Sequence, residues 1–258
     1  MSSGTREGDG RTKSGIALPT ISSSSDPVVW WLYVAIYLVV VSTVVAVLYG
    51  LLVGAINPSS PRTAVEARLL TLKNAAKTLP GSGSARRDYI LALYDDGQTD
   101  EALAQVAQGK ADLTGIERTE VYVAQLGILD SQKRYDEVLA VANEALTYDQ
   151  AARRAIIAGE VKKGLAFTEA DLPQTASINI LVFKAKAQSE KHDYAGAVDS
   201  YTRALSRDPE SADLLVARGN EYARMGEKSK ALADFKAALQ FVPGYAPAIQ
   251  GQKQVQSQ

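Results

Sequence analysis

Residues 194–243 read YAGAVDSYTRALSRDPESADLLVARGNEYARMGEKSKALADFKAALQFVP, and the end of this stretch repeats its beginning. Ala197, Tyr201, Ala204, Leu205 and Pro209 recur as Ala231, Phe235, Ala238, Leu239 and Pro243, each pair 34 residues apart. A small, an aromatic and a second small residue at spacings of four and three share one helix face, and Pro closes that helix. A period of this length marks a stacked array of repeats.

The order of small, aromatic, small and Pro positions resembles the tetratricopeptide repeat family, whose pattern also expects Leu215, Gly219 and Tyr222 on a preceding first helix and a turn at Gly226. The resemblance implies an all-α helix-turn-helix solenoid, wound as a right-handed superhelix whose concave groove binds peptide segments or protein domains. It assigns packing roles to Ala197, Tyr201, Ala204, Pro209, Gly219, Tyr222, Ala231, Phe235, Ala238 and Pro243. Gly219, Ala231 and Ala238 let helices approach closely, and Tyr222 and Phe235 fill the space between units. It also implies that first-helix residues Asn179, Val182, Lys186, Asp213, Val216 and Asn220 line the groove. Family members that clamp a carboxylate terminus need basic groups where this chain has Asp213 and Ala217, so the resemblance does not extend to that partner class.

Working upstream, the pattern weakens. The unit from about Ile178 has Lys184, Ala185 and Gln188 where an apolar residue, Gly and an aromatic are expected. Fainter copies lie at Tyr135, Val138, Ala142, Ala145 and Leu146, and at Gly97, Ala102 and Val106. From Thr119 to Ile178 is 59 residues, 25 more than one repeat, so residues 151–177 are irregular. A helical stretch from Ala151 to about Leu165 precedes the break at Leu172 and Pro173, which leaves a misshapen helix pair or a bent corner open. The array is expected over 84–243, clearest over 178–243, with a polar capping helix over 244–258.

The N-terminal quarter differs in kind. Residues 1–26 are Ser- and Gly-rich with few large apolar side chains, and are expected to be disordered. Residues 28–56 contain no charge; as a helix they reach roughly 43 Å, more than the ~30 Å of a hydrocarbon core. Trp30, Trp31 and Tyr33 near one end and Tyr49 near the other suit the headgroup level. The expectation is a single-pass transmembrane helix over 27–56. A cleaved signal ending at Val53 and Ala55 is the competing reading, disfavoured by the length of the run. Ala46, Gly50 and Gly54, four residues apart, offer a small-residue face for a homodimer within the bilayer. Arg62, Arg68 and Lys73 outnumber Arg11 and Lys13, which favours a cytosolic array, whereas a short tail before one anchor favours an extracytoplasmic one. Residues 57–83 read as a juxtamembrane helix and linker. Ser60 and Pro61 are expected to start it, Val65, Leu69, Leu72, Ala76 and Leu79 give it one apolar stripe, and Pro80 with residues 81–84 ends it.

Reactive chemistry is sparse. With 28 basic and 29 acidic residues, no overall field favours nucleic acid. There is no Cys, and the single His192 sits in a turn, so neither thiolate chemistry nor a pair of His ligands is available. Gly159 and Gly164 have phosphate-loop spacing but lack the Lys and hydroxyl that should follow. Asp95, Asp96, Asp100 and Glu101 read as helix-end charges, and Arg86 with Arg87 and Arg153 with Arg154 as surface charge. No catalytic residue, metal or cofactor is expected. The reading is a scaffold at a bacterial plasma membrane that binds protein partners, such as chaperones or envelope and export factors. A cytosol-facing recruiter is the alternative, and an enzyme built from helix ends a remote third.

Overall fold

The computed structural model describes the backbone of residues 27–56, 61 and 63–257, and side chains at 30–49, 61 and 63–257. The tail at 1–26 and Ser60 lie outside the described residues. Among those described, the chain is all-α, with eleven α-helices and a short 3-10 turn. It forms two units, Met1–Ser60 and Pro61–Gln258.

The first unit contains α1, Pro27–Ile56. Its segment Trp30–Tyr49 is long and apolar enough to cross a membrane, and none of it is buried within the protein. Its two aliphatic hydroxyls, Ser42 and Thr43, both turn back on the helix. Ser42 Oγ donates to the Val39 carbonyl and Thr43 Oγ1 to the Val40 carbonyl, each at 2.8 Å. Ala46 is exposed, while the side-chain positions of Gly50 and Gly54 lie outside the described residues.

The second unit opens with α2, Ala64–Thr78, three residues later than Ser60 and Pro61 would start it. The cap is Thr63, whose Oγ1 accepts the Glu66 N–H at 3.1 Å. Of the apolar stripe, Leu69, Leu72 and Ala76 pack into the adjoining core. Val65 and Leu79 at its ends stay exposed. Four helix pairs follow: α3 Gly83–Asp95 with α4 Thr99–Asp112, α5 Glu117–Ser131 with α6 Tyr135–Lys162, α7 Thr175–Glu190 with α8 Tyr194–Leu205, and α9 Ala212–Arg224 with α10 Lys228–Phe241. A last helix, α11 Ala246–Gln256, packs on α10 and α9. The run at 81–84 belongs to the fold: Ser82 caps α3, and the Gly83 N–H donates to Glu117 Oε2 at 2.7 Å. A Cβ on Gly83 would lie 2.0 Å from the Glu117 carbonyl oxygen.

Each pair turns through one left-handed residue: Gly97, Lys133, His192 and Gly226, with φ from 57° to 79°. The second helices bury residues seven apart. These are Ala102 with Gly109, Val138 with Ala145, Ala197 with Ala204, and Ala231 with Ala238. Midway stand Val106, Ala142, Tyr201 and Phe235. Phe235 is wholly buried between two glycines; a Cβ on Gly219 would lie 2.8 Å from its ring and one on Gly251 2.6 Å. Pro209 and Pro243 stand exposed in the turns that link pairs.

The irregular segment is neither an extra pair nor a misshapen one. α6 runs 28 residues without a break, twice the 14 of α4 and α10. The chain then returns through a 3-10 turn, Glu169–Asp171, to α7. Arg153, expected on the surface, is 2% exposed. Its Nε donates to Asp149 Oδ2 at 2.9 Å, Nη1 to Glu169 Oε1 at 3.2 Å, and Nη2 to the Pro173 carbonyl. Asp149 also accepts Thr119 Oγ1 at 3.3 Å and Ser177 Oγ at 2.7 Å. One buried ion pair thus ties α5, α6, the return segment and α7. Arg86 is buried as well, with Nη1 donating to Gln105 Oε1 at 2.9 Å.

Candidate protein-binding face

The first helices lie side by side, α3 on α5 and α5 on α7. Their side chains are shared between two cores and one open face. Tyr122, Val123, Leu126 and Leu129 of α5 enter the core toward α6 and α7, and Val121, Ala124 and Ile128 enter the one toward α3 and α4. Half-buried on α5 are Arg118, Glu120, Gln125, Gly127 and Asp130, of which Glu120, Gly127 and Asp130 meet side chains of α3 or α7. Gly127 sits between Leu91 of α3 and Phe183 of α7, with room for a methyl 3.5 Å from the first and 3.8 Å from the second. Cross-helix polar contacts border this apolar spot. Arg87 Nη1 donates to Glu120 Oε2 at 2.5 Å, Ser131 Oγ to Tyr94 Oη at 2.8 Å, and Lys186 Nζ to Asp130 Oδ2 at 2.7 Å.

The six residues expected to line a groove take different places. Asn179 and Val182 are half-buried on α7, and Lys186 is exposed but tied to Asp130. Val182 and Val216 join one apolar cluster, in which Val216 retains 8% exposure. Asp213 is exposed and accepts a hydrogen bond from the Tyr245 hydroxyl, which rises above the usual phenol range through that bond. Asn220 is exposed at a depression of about 270 Å³ shared with Arg224, Gln254 and Val255. The structure thus places Val182 and Val216 in one apolar cluster, and sends Lys186 toward α5 and Asp213 toward the segment before α11. Leu91, Gly127 and Phe183 went unnoticed in the sequence because no 34-residue offset relates them. The alternation of α5 between two cores is the only signal that exposes Gly127.

Away from this face a polar cluster joins α4, α5 and α6. Tyr122 Oη donates to Glu144 Oε1 at 2.6 Å, and Lys110 Nζ lies 3.4 Å from the same oxygen and 4.0 Å from the Tyr122 ring centre. Burial, then the bond to Glu144, drives the Tyr122 hydroxyl well above the phenol range. Burial also lowers Lys110 despite Glu144 beside it. The groups satisfy one another. Tyr201 is pushed up to about 12, by burial first and the Glu221 carboxylate second. Glu221 is itself buried, accepting Ser189 Oγ at 2.9 Å and Arg224 Nη1 at 2.7 Å. Among the described residues, no three His, Cys, Asp or Glu side chains converge as metal ligands would. His192 is exposed, its Nδ1 2.8 Å from Tyr194 Oη.

No family model matches the sequence, and no curated protein matches it. Among solved structures, the chain is similar to YrrB, described as a TPR protein with an unusual peptide-binding site. The identity is 14%, 78% of this chain and 87% of that one are covered, and the TM-score is 0.48. A monomeric IFIT1 mutant with Gppp-AAAA aligns at 16% identity over 73% of this chain and 45% of its own, TM-score 0.44. The TPR2AB domain of yeast Sti1 in complex with pHSP90 aligns at 18% identity over 74% and 78%, TM-score 0.32. The fold is a tetratricopeptide-like helical repeat, on the strength of its four interlocked pairs.

Proposed function

We propose that this chain is a membrane-tethered scaffold whose first-helix face holds a segment of a protein partner. The observation that carries the reading is the apolar spot of Leu91, Gly127 and Phe183, half-buried and bordered by polar pairs. An open apolar centre with a polar rim is what a protein interface requires. Asn179, Lys186, Asp213 and Asn220 extend this surface along α7 and α9, with Val182 and Val216 behind them. Photo-crosslinking groups at Leu91 and at Phe183 of the full chain in cells are expected to trap one and the same partner, and one at the exposed Arg154 none. Equal trapping from Arg154 would sink the assignment.

The tether is α1. Its uncharged length, its ring-bearing ends and its internally bonded hydroxyls support insertion. The full chain is expected to stay with membranes after alkaline carbonate extraction, and release into the supernatant overturns the reading. We place it in a bacterial plasma membrane with the repeat unit outside the cytoplasm, where chaperones or envelope and export factors are the partner class. Arg62, Arg68 and Lys73 favour the second reading, a recruiter facing the cytosol. Digestion of the repeat unit by protease added to intact spheroplasts selects the first, and protection selects the second. A homodimer through Ala46, Gly50 and Gly54 predicts that Gly50→Ile lowers self-association in a membrane reporter assay; unchanged association removes it.

A further inference from the structure

On the second-helix side of the stack, a notch of about 210 Å³ opens between α6, α7 and α8. Asn143, Thr147 and Gln150 of α6 form one wall, with Leu146 among them; Lys184 of α7, Arg203 of α8 and Arg207 just beyond α8 form the other. No carboxylate lines it. The three cations make no ion pair, although thirteen such pairs occur elsewhere among the described residues. Arg207 Nε is buried and finds no acceptor. A buried charged donor left unbonded is rare and unfavourable, and a bound acceptor removes the penalty.

The nearest acidic groups do not fill this role. Asp149 and Glu169 act on Arg207 electrostatically, but Arg153 holds both, and Asp149 accepts two hydroxyls besides. Burial lowers the Arg207 guanidinium from its usual range, and the charges of Arg153 and Arg203 add to that. An arginine nevertheless keeps its proton at neutral pH. The notch therefore concentrates positive charge with free forked donors, while the amide and hydroxyl groups of α6 supply neutral donors opposite.

We infer that the notch of Lys184, Arg203 and Arg207 binds a phosphate monoester or free phosphate. A lone carboxylate brings one negative charge, whereas phosphate brings nearly two and oxygens in a tetrahedral array, matching two guanidinium forks and an ammonium. The site is separate from the first-helix face and does not depend on its assignment.

The test is titration of the full chain in detergent with inorganic phosphate and, in a second arm, with O-phosphoserine, following heat or the amide resonances of α7 and α8. Binding at about 1 mM or tighter is expected in at least one arm, weakened about ten-fold or more by Arg207→Gln and by the exposed Arg203→Gln. Tighter binding of phosphoserine identifies an esterified ligand, and equal or tighter binding of inorganic phosphate a free one. Circular dichroism checks that both variants keep their helices; Arg203→Gln decides if Arg207→Gln does not fold. No binding in either arm, or the same affinity in wild type and Arg203→Gln, overturns the inference.

Discussion

A glycine inside a helix gives up about 1 kcal/mol relative to alanine, so each buried helical glycine here has to be explained by what stands over it. Over Gly219 and Gly251 stands Phe235, wholly buried between them, and the ring cannot yield to both sides. Over Gly127 there is room for a methyl. Gly251→Ala is expected to destabilise by about 1–3 kcal/mol, and Gly127→Ala to stabilise by up to about 1 kcal/mol; chemical denaturation of both variants checks the opposite signs. His192 holds φ 63° in a turn where Gly226 holds 76° in the next pair. His192→Gly should therefore gain about 1 kcal/mol, because glycine escapes the left-handed penalty that a side chain carries there. Tyr201 predicts an alkaline effect. Its folded pKa of about 12 exceeds the unfolded value, so its contribution is complete below about pH 10 and falls as pH rises toward about 12, by up to about 1.4 kcal/mol per unit. Tyr201→Phe removes that share of the slope in pH-dependent melts. Phe235 was legible because it repeats Tyr201 at the 34-residue offset, and Gly219 because the tetratricopeptide pattern expects a glycine there. Gly109 and Gly251 were not, for they fill the same packing need in units whose remaining letters have drifted. Arg153 was misread because a charged residue beside a second arginine carries no trace of burial in its own identity.

Helix boundaries followed the same logic at the next level. The pairs after residue 175 were legible from periodicity and their turn residues. The start of α2 was not, because a Ser-Pro pair reads as a helix start from its letters alone, whereas the N–H of Glu66 is accepted by Thr63. The extension of α6 escaped notice for a different reason. Residues 151–162 are good helix formers with little apolar periodicity, which fits a new helix as well as a longer old one. The decision lies in the buried pair of Asp149 with Arg153, which holds the return segment against the middle of α6. Removing one partner leaves an unpaired buried charge, so Arg153→Ala should cost about 3–5 kcal/mol. Hydrogen exchange of residues 163–174 in that variant is expected to rise before that of α9 and α10; a uniform rise would mean that the pair supports the whole stack instead.

In the repeat unit each helix pair touches its neighbours and little else. Stability is then approximately a sum of pairs and interfaces, and the terminal helix matters through the pair it covers. Loss of α11 uncovers Phe235 and Ala238 together with the contacts of Val255. Truncation after Gly244 is expected to lower the midpoint for α9 and α10 and to leave α3 to α5 nearly unchanged, as residue-resolved exchange would report. All-α character and the array were legible before any coordinate. The face at Leu91, Gly127 and Phe183 was not, since it emerges only where three unlike helices meet. The strap of Arg153 has one last consequence. It fixes where α7 begins regardless of how far α6 runs beyond it, so the stretch between Lys162 and Thr168 serves as a port for embellishment. A foreign loop or a fluorescent module grafted there changes the length of the spur and leaves the phase of the stack intact.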